Sequence, residues 1–250
     1  MTTKIINRYS EEEVIVQKGF LKLFRDCPIP EDLLQRNLGL FLRRQELARI
    51  LMMNDLYKQI LDLPGIICEF GVWFGSNLAL FESFRAMYEP YNHSRKIVGF
   101  DSFQGFPNVS EKDGDNDIIK KGSYATTIGY EDYLSKILDY HEMQAPHSHI
   151  KKNQLIKGDT TKTIKTYLEN NPETIIAFAY FDFDLYEPTK KVLEAILPHL
   201  SKGAIIGFDE LNDHAFPGET RAVSEVLGIN NLKIYRDRNN PYPSYIKFKE

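Results

Sequence analysis

The sequence predicts an α/β fold: a mainly parallel seven-stranded sheet with helices on both faces and an antiparallel hairpin at its C-terminal edge. Three observations lead there. From Ile66 onward, short apolar runs alternate with helix-length amphipathic stretches, and repeated βα units imply a parallel sheet covered on both sides. Nearly every one of these runs ends on a carboxylate. Two strand-like runs then follow each other directly near the C-terminus, as an edge hairpin requires.

In chain order, Val16, Phe20, Leu23 and Phe24 form a helical stripe that stops at Cys27-Pro28. Leu47, Ile50, Leu51, Leu56, Tyr57 and Ile60 mark a second, longer helix before Pro64-Gly65, both at the spacing of one helix face. Residues 1–64 are thus expected to be a helical extension and 65–250 the main domain. Arg43, Arg44 and Arg49 flank the second helix; a solvated face is the plain reading, and one arginine reaching the neighbouring pocket or another subunit is the functional one.

Strand one, ending Cys68-Glu69-Phe70, runs through Gly71 and Gly75 into a helix over about 76–88. Strand two, Lys96 to Asp101, is followed by an irregular stretch, 102–128. A stretch of that length inside a compact domain reads as a lid. A helix over about 130–141 and a strand at 154–157 come next, then Asp159 and a helix to about Leu168. Strand four, Thr174 to Phe181, leads into Asp182-Phe183-Asp184. A helix opening at Glu187-Pro188, proline being tolerated in a first turn, precedes strand five, Ala204 to Phe208, which ends at Asp209-Glu210. A last helix, about 219–227, precedes strands at 232–235 and 244–248.

Composition narrows the classes. The chain has 250 residues, 42 % hydrophobic and 26 % charged, with a formal net charge of −4. That is ordinary globular composition, and it argues against non-specific nucleic-acid binding. Cys27 and Cys68 lack metal or disulfide spacing; Cys68 reads as a small buried hydrophobe. The N-terminus, Met1-Thr2-Thr3-Lys4-Ile5, has no apolar leader core, and no stretch approaches the ~20 apolar residues of a membrane span. A cytoplasmic enzyme is the expectation.

In open α/β sheets ligands bind beyond the carboxyl ends of the strands. Glu69, Asp101, Asp159, Asp182 and Asp209 all fall there, and such a density of like charge calls for hydroxyls, amines or a cation to offset it. Asp101 lies 26 residues beyond Gly75, near the ~20-residue spacing of a ribose-binding carboxylate. A dinucleotide loop needs a third glycine and places a pyrophosphate at the helix N-terminus. Here the pattern is Glu-x-Gly-x-x-x-Gly, and an anionic Glu69 suits a cationic amino-acid end better than a pyrophosphate. That favours S-adenosyl-L-methionine over NAD, with Trp73 lining its pocket. Asp182, Asp209 and Glu210 suit a hard divalent cation, Mg2+ by preference; helix capping or salt bridging is the plain alternative. Asp184 reads as their neighbour. His214 could orient a substrate, although a lone loop histidine is ordinarily a surface residue.

On these motifs the sequence resembles a class I S-adenosylmethionine-dependent methyltransferase, and more narrowly the macrocin O-methyltransferase family of sugar O-methyltransferases. The matching pieces are Pro64-Gly65, Glu69 to Gly75, Gly99-Phe100-Asp101-Ser102-Phe103-Gln104-Gly105-Phe106-Pro107, Lys157-Gly158-Asp159, Asp182 to Thr189 and Ile205 to Glu210. The resemblance implies a Rossmann-like fold and a methyl donor held by Glu69, Gly71, Val72, Trp73, Gly75, Ser76, Asp101, Ser102, Asp159 and Asp182. It further implies Asp101 on the ribose, Asp159 near the adenine, Asp182 as general base, and Asp182, Asp209 and Glu210 as ligands of Mg2+. The family usually carries two aspartates at the last pair, where this chain has Asp209 and Glu210; Phe74 and Ser76 stand where arginine and glycine are common. A sugar-type acceptor, no nucleic-acid or membrane partner, and a homo-oligomer are the expected associations.

Overall fold

A computed structural model describes residues 9–250; residues 1–8, which begin the expected extension and carry the reading of the N-terminus, lie outside the described residues. The helices are α1 (Glu11–Arg25), α2 (Glu31–Leu34), α3 (Arg44–Lys58), α4 (Ser76–Tyr88), α5 (Tyr130–Gln144), α6 (Thr160–Asn170), α7 (Tyr186–Ile196) and α8 (Gly218–Leu227). The strands are β1 (Ile66–Phe70), β2 (Ile97–Asp101), β3 (Asn153–Lys157), β4 (Ile176–Phe181), β5 (Leu200–Phe208), β6 (Ile234–Arg236) and β7 (Ser244–Lys247). They form one sheet in the order β3-β2-β1-β4-β5-β7-β6. The first five are parallel, and β7 runs antiparallel to both β5 and β6.

Chain order reverses between β1 and β4, so a crevice opens above their carboxyl ends. Buried on both faces, β1 and β4 carry the continuous apolar runs that such strands require. On one face, Ile164, Leu193, Ile196 and Val223 from α6, α7 and α8 pack on Phe70, Phe100, Phe181 and Phe208. On the other, Met52, Leu56 and Tyr57 of α3, with Leu78 and Phe81 of α4, pack on Ile67, Phe178 and Ile205. The second predicted helix therefore belongs to the packed body. No helix among the described residues is long and apolar enough to cross a membrane.

Two buried arginines that no motif announces hold this face together. Arg95 donates to the carbonyls of Ile60, Leu63 and Gly65 and to both carboxylate oxygens of Glu89, at 2.6–3.1 Å. It thereby ties together the backbone between α3 and β1, where the Ile60 carbonyl also accepts the Leu63 N–H at 3.0 Å. Arg85 binds Glu82 and Glu142, and Glu142 also pairs with Lys152. Buried charges of this kind persist only when paired and hydrogen-bonded.

Observed and expected bounds differ mainly at ends. β5 begins at Leu200, before Ala204, because Leu200 pairs with Ile176 ahead of a register shift. The stretch 102–128 contains only a short 3-10 turn, Glu111–Asp113. It is nevertheless pinned: Asp113 Oδ1 accepts the Tyr186 N–H at 2.5 Å, and its Oδ2 accepts from Ser110 N and Oγ at 2.7 and 2.8 Å. Phe106 and Ile119 join Leu185 and Phe216 in a small core of their own. Outside the body, α1 has no buried residue and leans on the turn 35–41 through Phe20–Phe41 and Phe24–Phe41 ring contacts, beside an apolar groove of about 550 Å³.

Candidate active site

A cavity of about 880 Å³ sits over the carboxyl ends of the strands. Its lining takes in Glu69, Asp101, Asp159, Asp182, Asp209 and Glu210, so the crevice gathers the acids that the sequence placed at the strand ends.

The loop after β1 is shaped by contact. Gly71 has φ 88°, and a methyl group there would lie 2.0 Å from the Asp182 carbonyl oxygen. Only glycine lets this backbone cross against that strand end. Asp101 Oδ2 accepts the N–H groups of Val72 and Trp73 at 2.7 and 2.8 Å, and Oδ1 accepts that of Phe103 at 2.6 Å. The carboxylate at the end of β2 thus ties two loops together. Trp73 adopts a left-handed φ of 49°, a costly conformation for a bulky residue. Its indole Nε1 is buried with no partner, a donor left for a ligand. Ser76 opens α4 just behind. Ser102 Oγ donates to Gly105 O, and Asp159 caps α6 by accepting from Thr161.

Glu69 is buried. Its Oε1 accepts from Asn77 Nδ2 at 2.7 Å, while Oε2 has no partner. Burial, opposed by the Asn77 hydrogen bond, pushes this carboxyl up to about 8. A buried acceptor without a donor, facing a cavity, is complementary to a cationic group.

At the ends of β4 and β5 the acids divide. Arg49, on α3, donates from Nη2 to Asp182 Oδ2 at 3.0 Å, from Nη1 to Asp209 Oδ1 at 2.8 Å and from Nε to Asn77 Oδ1 at 3.2 Å. Tyr180 also donates its hydroxyl to Asp209. Among the described residues, the carboxylates within mutual reach of one ion, 4.8 Å, are those of Asp182, Asp184 and Glu210. The expected trio therefore separates: Asp209 is engaged by Arg49 and Tyr180, and Asp184 joins Asp182 and Glu210.

Burial raises both Asp182 and Glu210 well above the ordinary carboxylate range, assisted by neighbouring negative charge, and raises Asp184 to about 7. Burial acts the same way on Asp209, but Arg49 and the Tyr180 hydroxyl overcome it and hold that group low. Glu210 Oε2 is buried without a partner. An orphan carboxylate oxygen among three converging acids is a donor set that fits a hard divalent cation.

Several contributors carry no motif. Arg49 is the arginine of its helix that reaches the pocket; Arg43 pairs with Glu46 instead. Asn77 connects Arg49 to Glu69. Glu219 of α8 is buried and accepts the N–H groups of Glu210 and Phe183 at 3.0 and 3.2 Å, bracing both acidic loops. Only an arginine and an asparagine spaced on helix faces toward the strand ends could have hinted at them. His214 is solvent-facing, 3.8 Å from Asp213.

Comparison with known proteins adds the following. The family model for macrocin-O-methyltransferase (TylF) matches residues 46–233. The crystal structure of CalS11, a calicheamicin methyltransferase, is similar with TM-score 0.95 and 43 % identity over 100 % of this chain and 98 % of that one. The apo structure of CalS11, described as a TDP-rhamnose 3'-O-methyltransferase of calicheamicin biosynthesis, gives TM-score 0.86 and 41 % identity over 98 % of each chain. The O-methyltransferase NovP, at 19 % identity and TM-score 0.62 over 80 % of this chain and 79 % of its own, shares the fold. No curated protein matches at a significant level.

Proposed function

The chain belongs to the macrocin O-methyltransferase (TylF) family, and from that membership we propose that it methylates a hydroxyl of a nucleotide-activated deoxysugar with Mg2+ assistance. It is a class I S-adenosylmethionine-dependent methyltransferase. The acceptor class is supported by the likeness to a TDP-rhamnose 3'-O-methyltransferase across nearly the whole of both chains. One observation carries the chemistry: the donor loop at Gly71 presses on the Asp182 backbone, so donor pocket and acid cluster share one cavity.

The cofactor supplies, when bound, a methyl group activated by a sulfonium centre, and a divalent cation supplies polarisation of an acceptor oxygen. The chain's own residues do the rest. Glu69 Oε2 and Trp73 Nε1 offer the buried acceptor and donor for the cofactor's polar ends. Asp101 fixes the loop that shapes the pocket. Asp182, Asp184 and Glu210 would hold the cation, and Asp182 would take the proton of the sugar hydroxyl, its affinity for protons raised by burial and by neighbouring negative charge. Methyl transfer is an in-line displacement, so most of the gain comes from alignment. The segment 102–128, a lid in this reading, excludes water and shapes the acceptor end.

Incubation with S-adenosylmethionine, Mg2+ and a panel of nucleotide sugars including TDP-rhamnose, followed by mass spectrometry, tests this. The expected product is a singly methylated nucleotide sugar. Methylation only of sugars already attached to an aglycone, or only of non-sugar hydroxyls, would overturn the acceptor assignment.

A further inference from the structure

The strongest unexplained feature lies away from the cavity. Helix α1 carries three of the most exposed large apolar side chains of the described residues on one face: Ile15 at 68 %, Val16 at 70 % and Leu23 at 66 %. A helix of 15 residues with no fully buried residue is marginal in water without a partner. Its inner face meets Phe41 through Phe20 and Phe24, whereas this outer face is largely open to solvent.

Gly19 lies on that same outer face, one turn from Ile15 and Val16 and one turn from Leu23. A methyl group there would meet no atom within 4 Å, so nothing inside the monomer calls for a glycine. Glycine is the poorest helix-interior residue after proline. At the middle of a helix it suits one thing well, the close approach of another backbone.

We infer that α1 packs antiparallel on α1 of a second copy of this chain, the two helices crossing at Gly19. The arrangement is self-complementary, as a two-fold interface must be. Symmetry about Gly19 sets Ile15 against Leu23 of the second copy and returns the same contact on the other side. Charge agrees. Glu11, Glu12 and Glu13 occupy the first turn and Lys22 and Arg25 the last, so antiparallel pairing lays the acidic end of each helix along the basic end of the other. A parallel pair would set like against like. Three glutamates also make this a poor helix for an anionic membrane surface, which selects faces rich in lysine and arginine.

Sedimentation equilibrium on the full chain at tens of micromolar tests the association. The expected mass is twice the 29.0 kDa of one chain. Ile15→Glu and Gly19→Gln should each weaken the dimer at least about tenfold, and Gly19→Gln should leave the monomer folded, since the added side chain meets open space and glutamine favours helix. Placed at the crossing, Gly19→Cys in a Cys27→Ser background should cross-link the two copies on mild oxidation. Helix axes about 8–10 Å apart bring Cα atoms at a crossing within the ~4.4–6.8 Å that a disulfide spans. A monomeric wild-type chain overturns the inference and leaves the face to a different partner. A dimer indifferent to Ile15→Glu and Gly19→Gln overturns the choice of face. A dimer sensitive to both in which Gly19→Cys fails to cross-link overturns the crossing point.

Discussion

The Arg49 guanidinium donates to Asp182 Oδ2 at 3.0 Å although 133 residues separate the two in the chain. With Asp209 on its other terminal nitrogen and Asn77 on Nε, Arg49 links the donor end of the cavity, through Asn77 to Glu69, with the acid cluster. It also divides that cluster, pairing with Asp182 and Asp209, while Asp182, Asp184 and Glu210 converge on the other side.

Replacing Arg49 by glutamine should therefore lower stability by about 1.5–3 kcal/mol, the scale of a charge-assisted hydrogen bond to a part-buried acid. Turnover should fall on the order of 100-fold as Asp182 loses its orientation. Affinity for Mn2+, read by electron paramagnetic resonance, should rise, because a competing positive charge has left. Unchanged turnover together with weakened Mn2+ binding would contradict this division of the cluster.

Asp182→Asn should reduce turnover by about 10²–10⁴, the range of a positioned base. S-adenosylhomocysteine affinity, measured by calorimetry, should stay within a few-fold of wild type. Chelation with EDTA should likewise stop turnover and added Mg2+ restore it; full activity in chelator would exclude the cation from the reaction.

Through Glu69, cofactor binding should depend on pH. Its carboxyl titrates at about 8 in the fold, against about 4.3 in an unfolded chain. Between these values the folded state holds a proton that the unfolded state releases, so this group's contribution to stability is lost as pH rises through the window. A cationic ligand end favours the ionised form and expels the proton. Calorimetry of S-adenosylhomocysteine at pH 7 in buffers of different ionisation enthalpy should show release approaching one proton, falling toward zero above pH 9 and absent in Glu69→Gln. Identical heats in all buffers at pH 7 would refute the linkage.

The segment 102–128 is anchored at Asp113, whose carboxylate receives Tyr186 N and both donors of Ser110. Asp113→Ala should leave these donors unpaired at a cost of about 1–3 kcal/mol. Limited proteolysis should then cut within 102–128 while the sheet resists. Protection equal to wild type would show that the Phe106 and Ile119 packing holds the segment without the anchor.

What the sequence by itself determined is periodic or local. Apolar runs of strand length, helix-period stripes, glycines at forced turns and acids at strand ends are properties of neighbouring residues. They sufficed for the sheet, its edge hairpin and the acid-lined rim. The resemblance carried by the loop from Glu69 to Gly75 and by Asp182 to Thr189 supplied the family. Tertiary structure alone decided which acids meet. Asp209 and Glu210 are adjacent in the chain, yet Asp209 is bound by Arg49 and Tyr180 while Glu210 lies with Asp182 and Asp184, because those partners sit on separate elements that only packing brings together. Arg49, Asn77, Glu219 and Arg95 carry no local signature, since each acts on groups brought to it by packing of separate helices. The unpartnered outer face of α1 likewise became visible only once the fold showed that no other part of the described chain covers it.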